Sequence, residues 1–159
     1  MPVTTAEGRP GQAGANQQNE RMYRLLSPLL VALPLLSCAA APDATRHVVA
    51  EGALGPYSGA VIAGDFAFIS GKIGERGGSF EREAETAIEA VRNELAGIGL
   101  DLSDVVEARV FLTDMGRYAD FNAVYGRLFS RPYPARACVA VAALPGEARV
   151  EVQVVARLR

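Results

Sequence analysis

The sequence predicts an α+β domain in which two helices pack on one face of a mixed sheet, with a separate leader in front of it. Short apolar runs rich in Val, Ile and Ala come in pairs near both ends of the domain. Two stretches of helical periodicity lie in the middle, on either side of another apolar run. Because strands and helices are grouped in this way rather than strictly alternating, an α+β arrangement is expected.

The apolar runs predict the strands. Gly64-Asp65 separates two of the runs by two residues, which is a hairpin signal. The stretch 55–59 has the composition of a turn. The expected strands begin at residue 47 and then cover 61–62, 66–70, 105–113, about 136–143 and about 148–157.

Two amphipathic stretches predict the helices. From Phe80 to Ile98, apolar residues recur in steps of three and four, with Glu, Arg and Asn between them. Ser79 suits the N-cap of this helix, and Gly97 and Gly99 suit its end. The second helix ends before Pro132. One face of it carries Phe121, Val124, Tyr125, Leu128 and Phe129.

Composition bounds the class of protein. The 159 residues are 50% hydrophobic, which suits one globular domain with a real core. Sixteen basic against 18 acidic side chains, with no basic cluster, argue against a nucleic-acid surface. His47 is the only histidine, so a His-based metal site is not expected. Cys38 and Cys138 are the only cysteines, and the first falls in a processing segment, so no disulfide framework is expected.

The N-terminal part of the chain indicates a leader. Residues 1–21 are poor in bulky apolar side chains and are expected to be disordered, or to precede a true start at Met22. Arg21 and Arg24 stand before an apolar run that is too short and too interrupted by proline to span a membrane, which indicates an export signal over residues 22–37.

The signal ends in Leu35-Leu36-Ser37-Cys38, which resembles a bacterial lipoprotein box. This predicts cleavage before Cys38, lipidation of its thiol and a linker over 38–45, with the folded domain over 46–159. The lipid would be the only membrane contact. Two alternatives stay open: a soluble periplasmic protein cut after the alanines at 39–41, and a cytoplasmic protein whose N-terminal segment is not a signal.

The last two apolar runs carry the polar residues that best suit chemistry. Arg136 opens one run, and Glu151 interrupts the next. If both runs are strands of one sheet, a guanidinium and a carboxylate are held near each other on rigid backbone. Arginine presents a planar fork of donors that matches a substrate carboxylate. The alternative is a plain Arg136–Glu151 salt bridge between neighbouring strands, and spacing alone does not choose between the two.

Several motifs, in order, resemble the Rid family, the reactive-intermediate deaminases also called the YjgF family. The motifs are Gly55-Pro56-Tyr57-Ser58, Ile69-Ser70-Gly71-Lys72-Ile73, Val110-Phe111-Leu112-Thr113-Asp114-Met115, Phe121-Asn122-Ala123-Val124-Tyr125 and Pro132-Tyr133-Pro134-Ala135-Arg136-Ala137-Cys138-Val139. The resemblance implies a chorismate-mutase-like fold and a homotrimer with active sites in the clefts between subunits. It also implies hydrolysis of small 2-imino or 2-enamino acids to 2-oxo acids and ammonia, without metal or cofactor. The alternative is a non-catalytic trimer that binds small carboxylates in the same clefts.

The resemblance assigns catalytic roles to three residues. Arg136 matches the arginine that clamps the substrate carboxylate, and Glu151 matches the acid that positions or activates water. Tyr57 lies in the motif whose ring closes over the cleft. Ser70 and Gly71 match the strand end that helps to hold the substrate. On its own, Tyr57 also suits a turn aromatic, and the Ser70 hydroxyl suits a partner of local backbone.

Two further residues match pocket-lining positions of the family, Asn122 and Cys138. Cys138 also suits a small core residue, because it lies between Ala137 and Val139. Some positions depart from the family pattern: Gly59 and Lys72 stand where Gln is common, and Gln153 stands where an acid is common. These departures leave Arg136 and Glu151 in place and bear on the range of substrates.

Overall fold

The structure is a computed structural model that describes residues 45–159. The expected leader, the signal and Cys38 lie outside these residues. The helices and strands are β1 (Arg46–Val49), β2 (Ser58–Ala63), β3 (Phe66–Ile73), α1 (Phe80–Gly97), β4 (Val105–Leu112), α2 (Tyr118–Leu128), β5 (Ala135–Ala140) and β6 (Val150–Arg157).

The six strands form one mixed sheet in the order β1-β2-β3-β6-β4-β5. β4 and β5 are parallel, as strands joined through a helix can be, and every other neighbouring pair is antiparallel. α1 packs across β3 and β6 and against α2. The predicted α+β fold with two helices on one face of a mixed sheet is therefore confirmed.

Alternation along the strands separates a buried face from an uncovered one. In β6, Val150, Val152 and Val154 are fully or almost fully buried beneath the helices. Their neighbours Glu151 and Gln153 point to the other side, because successive strand residues face opposite ways. We call that other side the open face. It carries exposed apolar side chains, among them Phe66, Phe68 and Val139.

The helices complete the core on the covered face. Ile88, Val91 and Leu95 of α1 are fully buried, as are Phe121 and Val124 of α2. Burial of each such side chain contributes roughly 1.5–3 kcal/mol. Within residues 45–159 no helix has the length and apolar character needed to cross a membrane.

The predicted ends of α1 are confirmed. The Arg82 backbone N–H donates to Ser79 Oγ at 3.2 Å, so Ser79 caps the helix. The helix ends at Gly97, and Gly99 takes the left-handed φ of 80° that favours glycine. The connection between the last two strands is longer than expected, because β5 ends at Ala140 and β6 begins at Val150. It contains a 3₁₀ turn at Pro145–Glu147.

A β-bulge interrupts the middle of β3. Ile69 pairs with Val154 and Lys72 pairs with Val152, so β3 contains one residue more than β6 over this interval. The extra residue bends the strand and re-aims its side chains. The bulge holds Ser70 and Gly71, the two β3 residues that the sequence places in the candidate site.

Candidate active site

Arg136 lies on β5 and faces α2 on the helix side of the sheet. Its Nη2 donates to Asn122 Oδ1 at 2.6 Å and to Tyr118 Oη at 3.3 Å. Its Cζ lies 4.6 Å from the centroid of the Tyr125 ring, in cation–π contact. Tyr118, Asn122 and Tyr125 share one face of α2 because they are spaced four and then three residues apart.

A cavity of about 410 Å³ opens beside this guanidinium, and we call it the Arg136 pocket. It is lined by Asn122, Tyr125, Gly126, Tyr133, Pro134 and Arg136. Nε and Nη1 of Arg136 donate to no other residue within 45–159. Since Asn122 and Tyr118 hold Nη2, the guanidinium is fixed and still has donors for a ligand carboxylate.

Glu151 lies on β6 and faces a second cavity, of about 280 Å³, which we call the Glu151 pocket. Leu54, Tyr57, Ser70, Gly71, Ile73 and Gln153 also line it. In the described part of the chain no side chain is hydrogen-bonded to or ion-paired with the Glu151 carboxylate. Burial raises the pKa of this carboxyl group above its ordinary value. A carboxyl with a raised pKa and no partner suits proton transfer.

The bulge in β3 makes room for the Glu151 side chain. A Cβ at position 71 would lie 2.7 Å from the Glu151 carboxyl carbon, so any residue other than glycine there would displace this carboxylate. The Ser70 hydroxyl donates to the Ser58 carbonyl at 2.7 Å, the local bond that its alternative interpretation expects. Its oxygen lone pairs remain available to accept a hydrogen bond.

Tyr57 stands at the rim of the Glu151 pocket with 47% of its surface exposed. The Leu54 N–H donates to its hydroxyl at 3.3 Å, which ties the ring to the preceding turn. Tyr57 is therefore a turn aromatic in this chain, as one interpretation of the sequence expects. Its place at the rim also fits a ring that covers the cleft.

The expectation that Arg136 and Glu151 lie near each other is wrong within one chain. β4 lies between their strands, and Phe111 of β4 pairs with Glu151 on one side and with Val139 on the other. Glu151 therefore shares a face of the sheet with Phe111 and Val139. Val139 is three residues from Arg136 along β5, so Arg136 projects to the opposite face from Glu151. The alternative, a salt bridge between neighbouring strands, is wrong for the same reason. The chain carries the two groups in two separate pockets.

Cys138 lies on the same face of β5 as Arg136 but packs against the core. Burial raises the pKa of its thiol, and the nearby Arg136 opposes this shift only in part. A protonated, packed thiol is a poor nucleophile. The described residues contain no group of three or more His, Cys, Asp and Glu side chains placed to hold a metal ion.

Gly59 and Lys72, two positions that depart from the family pattern, lie together beside Glu94. Lys72 Nζ lies 2.5 Å from Glu94 Oε2 of α1, and both side chains are largely buried. A Cβ at position 59 would lie 2.9 Å from the Glu94 carboxyl carbon. The Glu94 carboxylate thus fills the space of a residue 59 side chain and neutralises Lys72. The pair also anchors β3 directly after the bulge.

Sequence reasoning missed the aromatic surroundings of Arg136. Tyr118 and Phe121 each have a ring centroid 5.8 Å from its guanidinium carbon, in addition to the closer Tyr125. The signal lies in the spacing, since Tyr118 and Tyr125 are seven residues apart with Asn122 between them. Tyr125 was expected only on the apolar face of its helix.

The protein is thus a mixed-sheet α+β domain with one pocket beside an arginine and a second pocket beside a glutamate. The class can be named from comparison with known proteins. The family model described as Endoribonuclease L-PSP matches residues 48–158. The chain therefore belongs to this family, the YjgF or Rid family that its motifs resemble.

Individual relatives of the chain support this family assignment. The RutC family protein y4sK of Sinorhizobium fredii is 43% identical over 116 residues, which is 69% of this chain and 92% of that protein. The 2-iminobutanoate/2-iminopropanoate deaminase of Homo sapiens is 37% identical over 114 residues, covering 67% of this chain and 83% of the human protein. The crystal structure of Escherichia coli TdcF with bound serine superposes with a TM-score of 0.65 at 31% identity, covering 75% of this chain and 99% of TdcF.

Proposed function

We propose that the protein hydrolyses small 2-imino and 2-enamino acids to 2-oxo acids and ammonia. The proposal is carried by two groups on the surfaces of one chain. Within residues 45–159, Glu151 has no side-chain partner, and Arg136 keeps donors that bind no other residue. One group suits proton transfer to and from water, and the other suits a substrate carboxylate. A relative that is named an imine deaminase supports the same chemistry.

The proposal requires a second copy of the chain, because the two pockets of one chain do not meet, and the family resemblance implies a homotrimer. In a ring of three subunits, one surface of a subunit lies against a different surface of the next. Phe66 and Phe68, neighbours on the open face of β3, and Val139 on β5 are exposed and support such an assembly, since exposed apolar patches mark interfaces. In the trimer, the Arg136 pocket of one subunit faces the Glu151 pocket of its neighbour.

The substrate binds by its carboxylate to Arg136. Asn122 and the Tyr125 ring hold the guanidinium in place, which limits the entropy lost on binding. The relative TdcF is described with bound serine, an amino acid whose carboxylate and neighbouring nitrogen-bearing carbon match those of a 2-imino acid. The carbon to be attacked then lies next to the fixed carboxylate.

Glu151 supplies the proton transfers. An enamine first takes a proton on its terminal carbon and becomes the iminium form. The Glu151 carboxylate then removes a proton from water as the oxygen attacks the C=N carbon, and the C=N electron pair moves to nitrogen. The proton passes from Glu151 to that nitrogen, the C–N bond breaks, and the oxygen loses its proton as the C=O bond forms. Water is consumed, ammonia leaves, and no oxidant or cofactor enters the balance.

Cleavage of RNA, which the description of the family model suggests, is not part of the proposal. Binding of a polyanion needs a stripe of free basic side chains. The formal net charge is −2, and many basic side chains are paired with acids. The paired ones include Lys72, Arg82, Arg109, Arg117, Arg149 and Arg159.

The test uses 2-iminopropanoate made in place by an amino-acid oxidase, with ammonia release followed against buffer alone. The purified protein should accelerate release, and Glu151→Gln should abolish the acceleration. Glu85→Gln is the matched control, since Glu85 lies on the partly exposed surface of α1 beside Arg82 and outside both pockets. No acceleration by the wild type would refute the deaminase proposal. Saturable binding of a carboxylate without turnover would instead favour the non-catalytic trimer.

A further inference from the structure

The Tyr125 hydroxyl stands out among the buried polar atoms of residues 45–159. Only 5% of this residue is exposed, and its hydroxyl is the one buried side-chain oxygen or nitrogen there without a hydrogen-bond partner. Buried polar groups are almost always paired, because an unpaired one loses its bonds to water and gains nothing in return. Tyr125 lines the Arg136 pocket, so its unpaired hydroxyl requires an explanation.

The Tyr125 ring is held in place from several sides. It stacks on Phe129 with centroids 4.1 Å apart and an interplanar angle of 14°. Phe121 packs at 5.8 Å in a tilted arrangement, and the Arg136 guanidinium lies over the ring at 4.6 Å. With the ring fixed, only the hydroxyl hydrogen remains free to rotate toward a partner.

The protonation state of the Tyr125 hydroxyl and the charge beside it determine which kind of ligand group can bind to it. Burial raises the pKa of Tyr125 to about 12, so the group stays protonated and can donate at physiological pH. The neighbouring Arg136 is positively charged. A ligand that satisfies both groups accepts hydrogen bonds and carries negative charge, and a carboxylate does both.

We propose that Tyr125 is a further substrate-binding residue whose hydroxyl donates to the carboxylate held by Arg136, directly or through one bridging water. A bridging water is nearly as favourable as a direct bond and suits a hydroxyl that is itself buried. The inference rests on the proposed function, because it takes the Arg136 pocket as the place of the substrate carboxylate.

The test compares Tyr125→Phe with the wild type in binding of pyruvate, the 2-oxo acid product of 2-iminopropanoate, by calorimetry. The variant removes only the hydroxyl. We expect the dissociation constant to rise about tenfold, the size expected for one hydrogen bond to a charged group. The melting temperature without ligand should stay the same or rise, because no bond within the fold is lost.

Thr86→Val is the matched control. Thr86 is also buried, but its hydroxyl is used within the fold: it accepts from the Glu75 N–H at 2.8 Å and donates to the Arg82 carbonyl at 3.0 Å. It lies outside both pockets, so this variant should have a lower melting temperature and unchanged pyruvate affinity.

Unchanged pyruvate affinity in Tyr125→Phe would overturn the inference. A fall in the melting temperature of the ligand-free variant would also overturn it, because the hydroxyl would then have a partner within the fold. If the wild type binds no pyruvate, the carboxylate site fails and this inference with it. Binding without turnover would refute only the deaminase proposal, so the two failures are distinguishable.

Discussion

Arg136 and Glu151 project from opposite faces of one sheet, with β4 between their strands. Under the proposed function, a single chain therefore carries two incomplete sites. The Arg136 pocket lacks an acid–base group, and the Glu151 pocket lacks a cation for the substrate. A second copy of the chain would supply each pocket with the group it lacks.

Mixed trimers should show this sharing of residues directly. Arg136→Lys and Glu151→Gln subunits, each inactive alone, can be co-expressed with different tags and purified through both. In a cyclic trimer, every mixed assembly then has one of its three clefts with both native residues, so about one third of wild-type activity should return. No recovery would mean that each cleft takes both residues from one chain, or that no trimer forms. Light scattering separates these two cases.

Arg136→Lys should by itself remove most of the activity and leave the fold intact. Lysine keeps the charge but loses the planar fork that matches a carboxylate. It also loses the bond to Asn122 that fixes the side chain. We expect a loss of about 2–4 kcal/mol in transition-state stabilisation, as for removal of a single preorganised donor. Steady-state kinetics measure it, with Arg82→Lys on exposed α1 surface as control. Near-normal turnover would make Arg136 a structural residue.

Gly71→Ala should inactivate the protein by displacing the Glu151 side chain in the Glu151 pocket. The added methyl group would meet the Glu151 carboxyl carbon at 2.7 Å and displace the side chain. A misplacement of about 1 Å at a reacting group costs on the order of 100-fold in rate. Gly97→Ala, at the end of α1 with open space around it, should leave the rate unchanged. Equal rates for Gly71→Ala and wild type would show that Glu151 is not the acid–base group.

Local patterns predicted the elements of the fold and much of its detail. The apolar spacing of three and four residues predicts both ends of α1 to within one residue of the structure. Gly64-Asp65 correctly predicts the hairpin between β2 and β3. Such signals are local, because the period of the chain and the turn residues act over a few positions. The α2 face, with Phe121 and Val124 buried, is equally clear from its spacing.

The order of the strands could not be predicted in the same way. β6, the last strand, pairs with β3 and β4 and lies in the middle of the sheet. Nothing local to Arg136 or Glu151 shows that a third strand separates them. The β3 bulge depends likewise on pairing across the sheet. The family resemblance pointed to Gly71. The physical reason for a glycine there is the nearby side chain of Glu151, which is far away in the sequence.

The N-terminal segment, which lies outside the described residues, is predicted to attach the protein to a membrane. Lipidation of Cys38 would place about three acyl chains on the new N-terminus, and more than one chain is enough for stable membrane attachment. Fractionation of a bacterial host that expresses the full gene, with mass spectrometry of the N-terminal peptide, tests it. Cys38→Ala should give an uncut precursor or a soluble form. A wild-type protein found in the cytosol with residues 22–37 still attached would contradict the prediction.

Glu151→Gln should stabilise the protein near neutral pH while removing its activity. Burial raises the pKa of Glu151 above its ordinary value of 4.5, so the folded state holds this proton more tightly than the unfolded state does. Stability from that proton is present below pH 4.5 and is lost as the pH rises through the raised pKa. Glutamine stays neutral throughout and avoids the loss. The melting temperature of the variant should therefore exceed that of the wild type at pH 7, and the difference should shrink below pH 4.5. A variant that is less stable than the wild type at pH 7 would show instead that a partner in the assembly holds the Glu151 carboxylate in its charged form.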